Sequence, residues 1–185
     1  FVHRGLAWYH KKEYDKAIAD CDEAIRLSPR YGDAYVSRGL VWYDQKDYDK
    51  ALDDYSEAIK INPKDSIAWN DRGLTWKDKG ELDKAIDDLN ESIRLDPKNV
   101  LAWNNRGVTW KDKGDYDKAV DDLTEALRLS PDYGRALHNR AETWRAKKEY
   151  AKAVADYDAV LRTSPSDAQA LDGRAWLLAA CPDEK

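Results

Sequence analysis

A period of 34 residues governs this chain. The stretch DSIAWNDRGLTWKDKGELDKAIDDLNESIRLDP, Asp65 to Pro97, is followed at once by NVLAWNNRGVTWKDKGDYDKAVDDLTEALRLSP, Asn99 to Pro131. Pro29, Pro63, Pro97, Pro131 and Pro165 keep the same offset, and only Pro182 breaks it. A unit this short cannot bury an apolar face by itself, so copies must stack, each touching mainly its neighbours. The 185 residues therefore read as about five repeats and a remainder, approximately 1–31, 32–65, 66–99, 100–133 and 134–167, then a terminal helix over 168–180.

Each repeat carries two helical patterns. In 32–65, Tyr35, Gly39 and Trp42 recur at helical spacing, Lys46-Asp47 marks a tight turn, and Ala51, Leu52, Tyr55, Ala58 and Ile59 follow three or four apart. Asn62-Pro63 ends the second helix, because proline cannot continue the hydrogen-bond ladder and disfavours helix at the residue before it. Gly80 and Gly114 stand at the inner turn of two repeats, where a left-handed residue closes a helix.

Small residues show how the helices pack. Gly5, Gly39, Gly73 and Gly107 hold one position of the first helix, with Ala141 and Ala175 after them, and Ala17, Ala51, Ala85, Ala119 and Ala153 hold one position of the second. Glycine inside a helix costs ~1 kcal/mol against alanine, a cost that makes sense where a neighbouring helix must come close. Trp8, Trp42, Trp76, Trp110 and Trp144, with Tyr14, Tyr48, Tyr116 and Tyr150, share that helical phase, so they read as packing residues and not as a cofactor or glycan site.

These features resemble the tetratricopeptide repeat, whose pattern of Trp, Gly, Ala and Pro at fixed spacing is matched by Trp69, Gly73, Trp76, Ala85, Leu89, Ser92 and Pro97, and again by Trp103, Gly107, Trp110, Ala119, Leu123, Ala126 and Pro131. The resemblance covers Phe1 to Pro165. It implies an all-α fold, a right-handed α-solenoid of stacked antiparallel helix pairs forming a single domain over 1–185. One departure is systematic: where the family usually has leucine before the glycine, this chain has Arg4, Arg38, Arg72, Arg106, Arg140 and Arg174. The second helices carry Asp20, Asp54, Asp88, Asp122 and Asp156. Antiparallel pairing would let each arginine reach an aspartate of its own or an adjacent repeat, giving a ladder of partly buried ion pairs.

Composition narrows the function. A net charge of −5 without a long basic run argues against a nucleic-acid partner. No apolar run approaches the ~18 residues of a membrane span, so membrane insertion is not expected and the cytoplasm is the expected compartment. The chain has no methionine and Phe1 falls inside a repeat, which reads as a piece of a longer, bacterial-type array. Cys21 takes the place of Tyr55, Leu89, Leu123 and Tyr157 and reads as a buried thiol, and Cys181 lies near the end. No phosphate loop, nucleophile elbow or metal motif appears, and His3, His10 and His138 complete no ligand set, so neither catalysis nor a cofactor is expected.

In the tetratricopeptide family the first helices line a concave groove that holds a peptide or partner helix. The corresponding positions here vary between repeats. The first two repeats offer His3, Leu6, Tyr9, Val36, Ser37, Leu40 and Tyr43, an apolar and aromatic stretch. Asn70, Asp71, Leu74 and Lys77 come next, then Asn104, Asn105, Val108 and Lys111, then Arg135, His138, Asn139, Glu142 and Arg145. Lys77, Lys111 and Arg145 are repeat equivalents, a basic row that either pairs with neighbours such as Asp78 or grips an acidic or carboxylate-ended peptide, with asparagines to bond its backbone. Asn105, Arg135 and Asn139 match part of the clamp some members use on chaperone tails, but Asn70 and Leu74 break it, so that ligand is not expected. At the end, Leu171, Trp176, Leu177 and Leu178 make the terminal helix apolar on more than one side, so self-association through the repeat ends is the competing expectation. A third alternative is a targeting arm within a larger multidomain protein.

Overall fold

A computed structural model describes residues 1–180. Among these residues the chain forms eleven α-helices and no strand: α1 (Val2–His10), α2 (Tyr14–Leu27), α3 (Gly32–Asp44), α4 (Tyr48–Ile61), α5 (Ser66–Asp78), α6 (Leu82–Leu95), α7 (Val100–Lys113), α8 (Tyr116–Leu129), α9 (Gly134–Ala146), α10 (Tyr150–Thr163) and α11 (Ala168–Ala180). They divide into two compact units, α1–α6 within Phe1–Pro97 and α7–α11 from Lys98 onward. In each unit the odd-numbered helices are the first helices of their repeats and pack on the helix that follows; α11 stands in first-helix register and packs on α10.

Two turns set the geometry. The inner turn needs one left-handed residue. Gly80 (φ 87°) and Gly114 (φ 88°) supply it at no steric cost, whereas Lys12, Lys46 and Lys148 are forced to φ 61–62°. The outer turn begins at the last residue before each proline. There the backbone N–H of Tyr31, Asp65, Tyr133 and Asp167 donates to the carbonyl of Ser28, Asn62, Ser130 and Ser164, a β-turn with proline at its second position. Asp65, Asn99 and Asp167 then cap the next helix, each side chain accepting from backbone N–H groups of its first turn.

The close approach inferred from the small residues is present. A Cβ placed on Gly107 would stand 2.8 Å from Leu123 Cγ and 3.2 Å from the Ala119 carbonyl oxygen, so α7 rests directly on the backbone of α8. Ala17, Ala51, Ala85, Ala119 and Ala153 are fully buried, and Tyr55, Leu89, Leu123 and Tyr157 fill the space beside them. Cys21 is buried at the same register, and burial pushes its thiol up to about 11. Cys181 lies outside the described residues.

Trp8, Trp42, Trp76, Trp110 and Trp144 are only half-buried. Each ring is covered by the ammonium of the lysine eight residues later, Lys16, Lys50, Lys84, Lys118 and Lys152, at 4.2–4.7 Å from its centroid. The same lysines pair with the acid at the start of the second helix, as Lys118 does with Asp115 at 2.7 Å. A tryptophan at the end of one helix thus holds the first turn of the next through a cation over its face.

The arginine ladder forms within each repeat and extends further than the residues predicted. Arg38 donates from Nε and Nη2 to Asp54 at 2.8 and 2.6 Å, and the same two-pronged pairing joins Arg4 to Asp20, Arg72 to Asp88, Arg106 to Asp122 and Arg140 to Asp156. The remaining prong turns back to the preceding second helix: Arg38 Nη1 to Asp22, Arg72 Nη1 to Ser56 and Arg140 Nη1 to Thr124. One planar guanidinium therefore ties three helices. Burial pushes the carboxyls of Asp54, Asp88 and Asp122 up against the pull of their arginines, whereas exposed Arg4 draws Asp20 down.

Candidate functional site

Within each unit the first helices leave one face free of their second helices, and along it α1 meets α3, α3 meets α5, and α7 meets α9. In the first unit the face is knitted together at a spacing of 35 residues. Tyr9 donates its hydroxyl to Asp44 at 2.7 Å, and Tyr43 donates to Asp78. Burial and the neighbouring carboxylate push both phenols well above their ordinary range. These two tyrosines, expected to offer aromatic edges to a ligand, are thus already bonded to the next helix.

Val36 lines a cavity of about 340 Å³ with Val2, Leu6, Tyr31 and Ile67, and Leu40 and Leu74 lie half-buried farther along the same face. Asn70 is buried and its amide donates to Asp71 at 2.9 Å. Burial pushes the Asp71 carboxyl up to about 6 against that hydrogen bond. Lys77 is tied to Asp78 at 2.9 Å and is 19 % exposed, so in this unit the basic position is spent on a neighbouring acid.

The second unit keeps its cations more open. Asn104 is buried, accepting from Asn139 Nδ2 at 2.9 Å and donating to Asn105 at 3.3 Å, so these amides bridge α7 and α9 before they bridge to any peptide. Val108 is half-buried and Arg135 exposed. His138 is turned toward α11: its Nε2 lies 3.2 Å from Asp167, the residue that caps that helix, and its ring meets Tyr157 edge-on. It acts as a strut at the base of α11 and is removed from the solvent face.

Lys111, Tyr116, Glu142, Arg145 and Ala146 line a second cavity of about 340 Å³. Glu142 is held from behind by the Tyr157 hydroxyl and in front by Arg145 Nη2 at 2.5 Å. Arg145 lies 5.6 Å from the centroid of Trp176, which is 52 % exposed. Lys111 forms no ion pair among the described residues. The site is therefore one open ammonium, one guanidinium braced by a carboxylate and an exposed indole. The sequence reading put Trp176 in the apolar end formed by α11 and did not place it beside Arg145. The signal was there, since residue 176 is the 34-residue equivalent of Leu74, Val108 and Glu142.

Tetratricopeptide repeat models match residues 1–31, 32–65 and 100–133, and a TPR repeat model matches 75–111, together well over half of the chain. No curated protein matches it. Among solved structures, pilF of Pseudomonas aeruginosa superposes with a TM-score of 0.88 at 18 % identity over 98 % of this chain and 83 % of its own. YrrB, described as a TPR protein with an unusual peptide-binding site, gives 0.74 at 20 % identity over 94 % and 90 %. The first TPR of Spaghetti, bound to an HSP90 peptide, gives 0.62 at 23 % identity over 64 % and 94 %. At these identities the likeness is one of fold, the α-solenoid of paired helices. With the repeat models spanning both compact units, the chain belongs to the tetratricopeptide repeat family.

Proposed function

We propose that the chain is a non-catalytic interaction scaffold whose first-helix face takes an extended peptide segment of a partner protein, acidic or carboxylate-ended, anchored in the second unit. Proteins of this family mediate protein–protein contacts, and two of its structural neighbours are described with peptides or peptide sites. The observation that carries the reading is the cavity lined by Lys111 and Arg145: an ammonium without an ion pair among the described residues stands at its rim, and the guanidinium beside it lies 5.6 Å from the centroid of the exposed Trp176 ring. A carboxylate would take Lys111, and the residue next to it would lie on the indole. Lys77 contributes less, because Asp78 already neutralises it.

A peptide array probed with the intact chain and with a Lys111→Glu/Arg145→Glu variant tests this. Acidic or carboxylate-ended peptides are expected to bind the parent and to lose the variant, with helical circular dichroism unchanged. Binding that ignores the double reversal would overturn the anchor. A Lys77→Glu variant that weakens binding as much as Lys111→Glu would overturn the distinction drawn between the two lysines.

A further inference from the structure

The first-unit cavity of about 340 Å³ has the opposite chemistry to the one beside Lys111. Its wall is aliphatic, with Val2 and Leu6 from α1, Val36 from α3 and Ile67 from α5. Asp33 and Asp65 line it as well, and no lysine or arginine does. At the repeat position of Val36 the later repeats hold Asn70, Asn104 and His138, and at that of Asp33 the fifth repeat holds Arg135. The chemistry therefore belongs to this place in the array and is not a product of the repeat.

Two helix starts build the mouth. Tyr31 and Asp33 stand at the start of α3, and Asp65 and Ile67 hold the same two positions of α5, with acid and apolar residue exchanged. Tyr31 is 39 % exposed and Ile67 59 %. One exposed apolar side chain needs no explanation, but these two line a single cavity. Neither acid forms an ion pair among the described residues. Asp65 accepts from the N–H groups of Ile67 and Ala68 on Oδ1 alone, and the charge of Asp33 pushes the neighbouring Tyr31 phenol above its ordinary range. Two carboxylates thus flank an apolar opening that has no cation of its own. A cavity of this volume stands at the small end of ligand pockets and suits one large side chain.

The geometry points to this pocket as a docking site for a basic and apolar segment of a partner protein. One leucine, isoleucine or phenylalanine side chain enters the cavity, and a lysine or arginine next to it pairs with Asp33 or Asp65. Shape sets the first requirement and charge the second. An acidic segment is rejected, because it would bring a further carboxylate to two that are uncompensated. A second copy of this chain is a poor match. Leu27 is an exposed aliphatic with a basic neighbour, but that Arg26 is already held by both oxygens of Glu23.

A random heptapeptide library displayed on phage is selected on the intact chain, on Val36→Asn and on an Asp33→Arg/Asp65→Asn variant. Each change places a residue that another repeat already holds there, as Asn70, Arg135 and Asn99 do, so the fold is expected to hold and circular dichroism checks it. Leucine, isoleucine or phenylalanine beside lysine or arginine should be enriched on the intact chain and lost on both variants. A fluorescein-labelled peptide of the enriched sequence, titrated by anisotropy, should bind about tenfold more weakly to Asp65→Asn, the size of one lost charge-assisted contact. The Lys111→Glu/Arg145→Glu variant should keep this peptide while losing acidic ones, which separates the pocket from the second-unit anchor. Failure to enrich a basic apolar sequence on the intact chain overturns the proposal. So does an enriched sequence that ignores both pocket variants or that needs Lys111 and Arg145. A concentration-dependent dimer that Val36→Asn returns to monomer also overturns it, because a second copy would then fill the pocket.

Discussion

Replacing Asp71 by asparagine should stabilise this protein at neutral pH and destabilise it by ~1 kcal/mol in acid. Asp71 sits half-buried on α5 and accepts one hydrogen bond, from Asn70 Nδ2 at 2.9 Å. Burial is the dominant influence, with Asp65 adding like-charge repulsion, and together they raise the carboxyl from 3.8 to about 6. Because the folded value exceeds the unfolded one, the folded state holds the proton more tightly. The stability that proton contributes is full below about pH 4, falls as pH rises through about 6, and is gone above it. A displacement of that size is worth ~3 kcal/mol.

Asparagine retains the acceptor without the charge. Asn105, the repeat equivalent, accepts from Asn104 in the same way at 3.3 Å. The new amide would not find the partner that Asn139 has in Asn104, because Val36 stands in that place, so the net gain at pH 7.5 is put at ~2 kcal/mol. Urea titrations followed by circular dichroism at half-unit intervals from pH 3.5 to 7.5 measure it. The parent should lose stability relative to the variant between pH 4 and 6.5, with the two curves parallel on either side. Asp54, Asp88 and Asp122 titrate in both proteins and drop out of the difference. Parallel curves throughout, or a variant less stable at pH 7.5, would refute the argument that burial holds this carboxyl up.

Three further outcomes follow from the same packing. Lys46→Gly relieves a left-handed lysine at a turn where Gly80 and Gly114 stand in other repeats, and should raise unfolding free energy by ~0.5–1 kcal/mol in thermal melts. Arg140→Leu leaves Asp156 buried without a counter-ion and should cost ~3–5 kcal/mol in urea, whereas adding Asp156→Leu should recover most of the loss, since buried pairs add little net stability over apolar replacements. Gly107→Val drives a side chain into Leu123 and the Ala119 carbonyl and should cost ~1–3 kcal/mol or more, a loss that a Leu123→Ala change in the same chain partly restores.

The fold was legible because a repeat states each contact several times. One glycine in a helix is ambiguous, but glycine or alanine at 34-residue intervals, facing alanine at the same interval, specifies a helix pair and its line of closest approach. The arginine–aspartate pairing was readable for the same reason. Its backward prong was harder to see, because it falls on residues of unlike type: Asp22, Ser56, Thr124 and Asp158 share a position and a function but no common chemistry beyond accepting a hydrogen bond.

The candidate site was read less well, and the reason lies in what repetition cannot encode. Register puts Asn70, Asn104 and Lys77 on the face that varies, yet whether such a residue meets solvent depends on the two neighbours it lies between. Asn104 disappears under Asn139, and Lys77 folds onto Asp78. Lys111 has the same register as Lys77 and an aspartate, Asp112, directly after it, yet it stands open at the rim of a pocket. In the first unit Tyr43 reaches across to hold Asp78 beside Lys77. The tyrosine's place at that register is taken by Lys77 and then Lys111 in the next two repeats. Identity in one repeat therefore decides exposure in the next, and the candidate anchor arises where the aromatic tether stops.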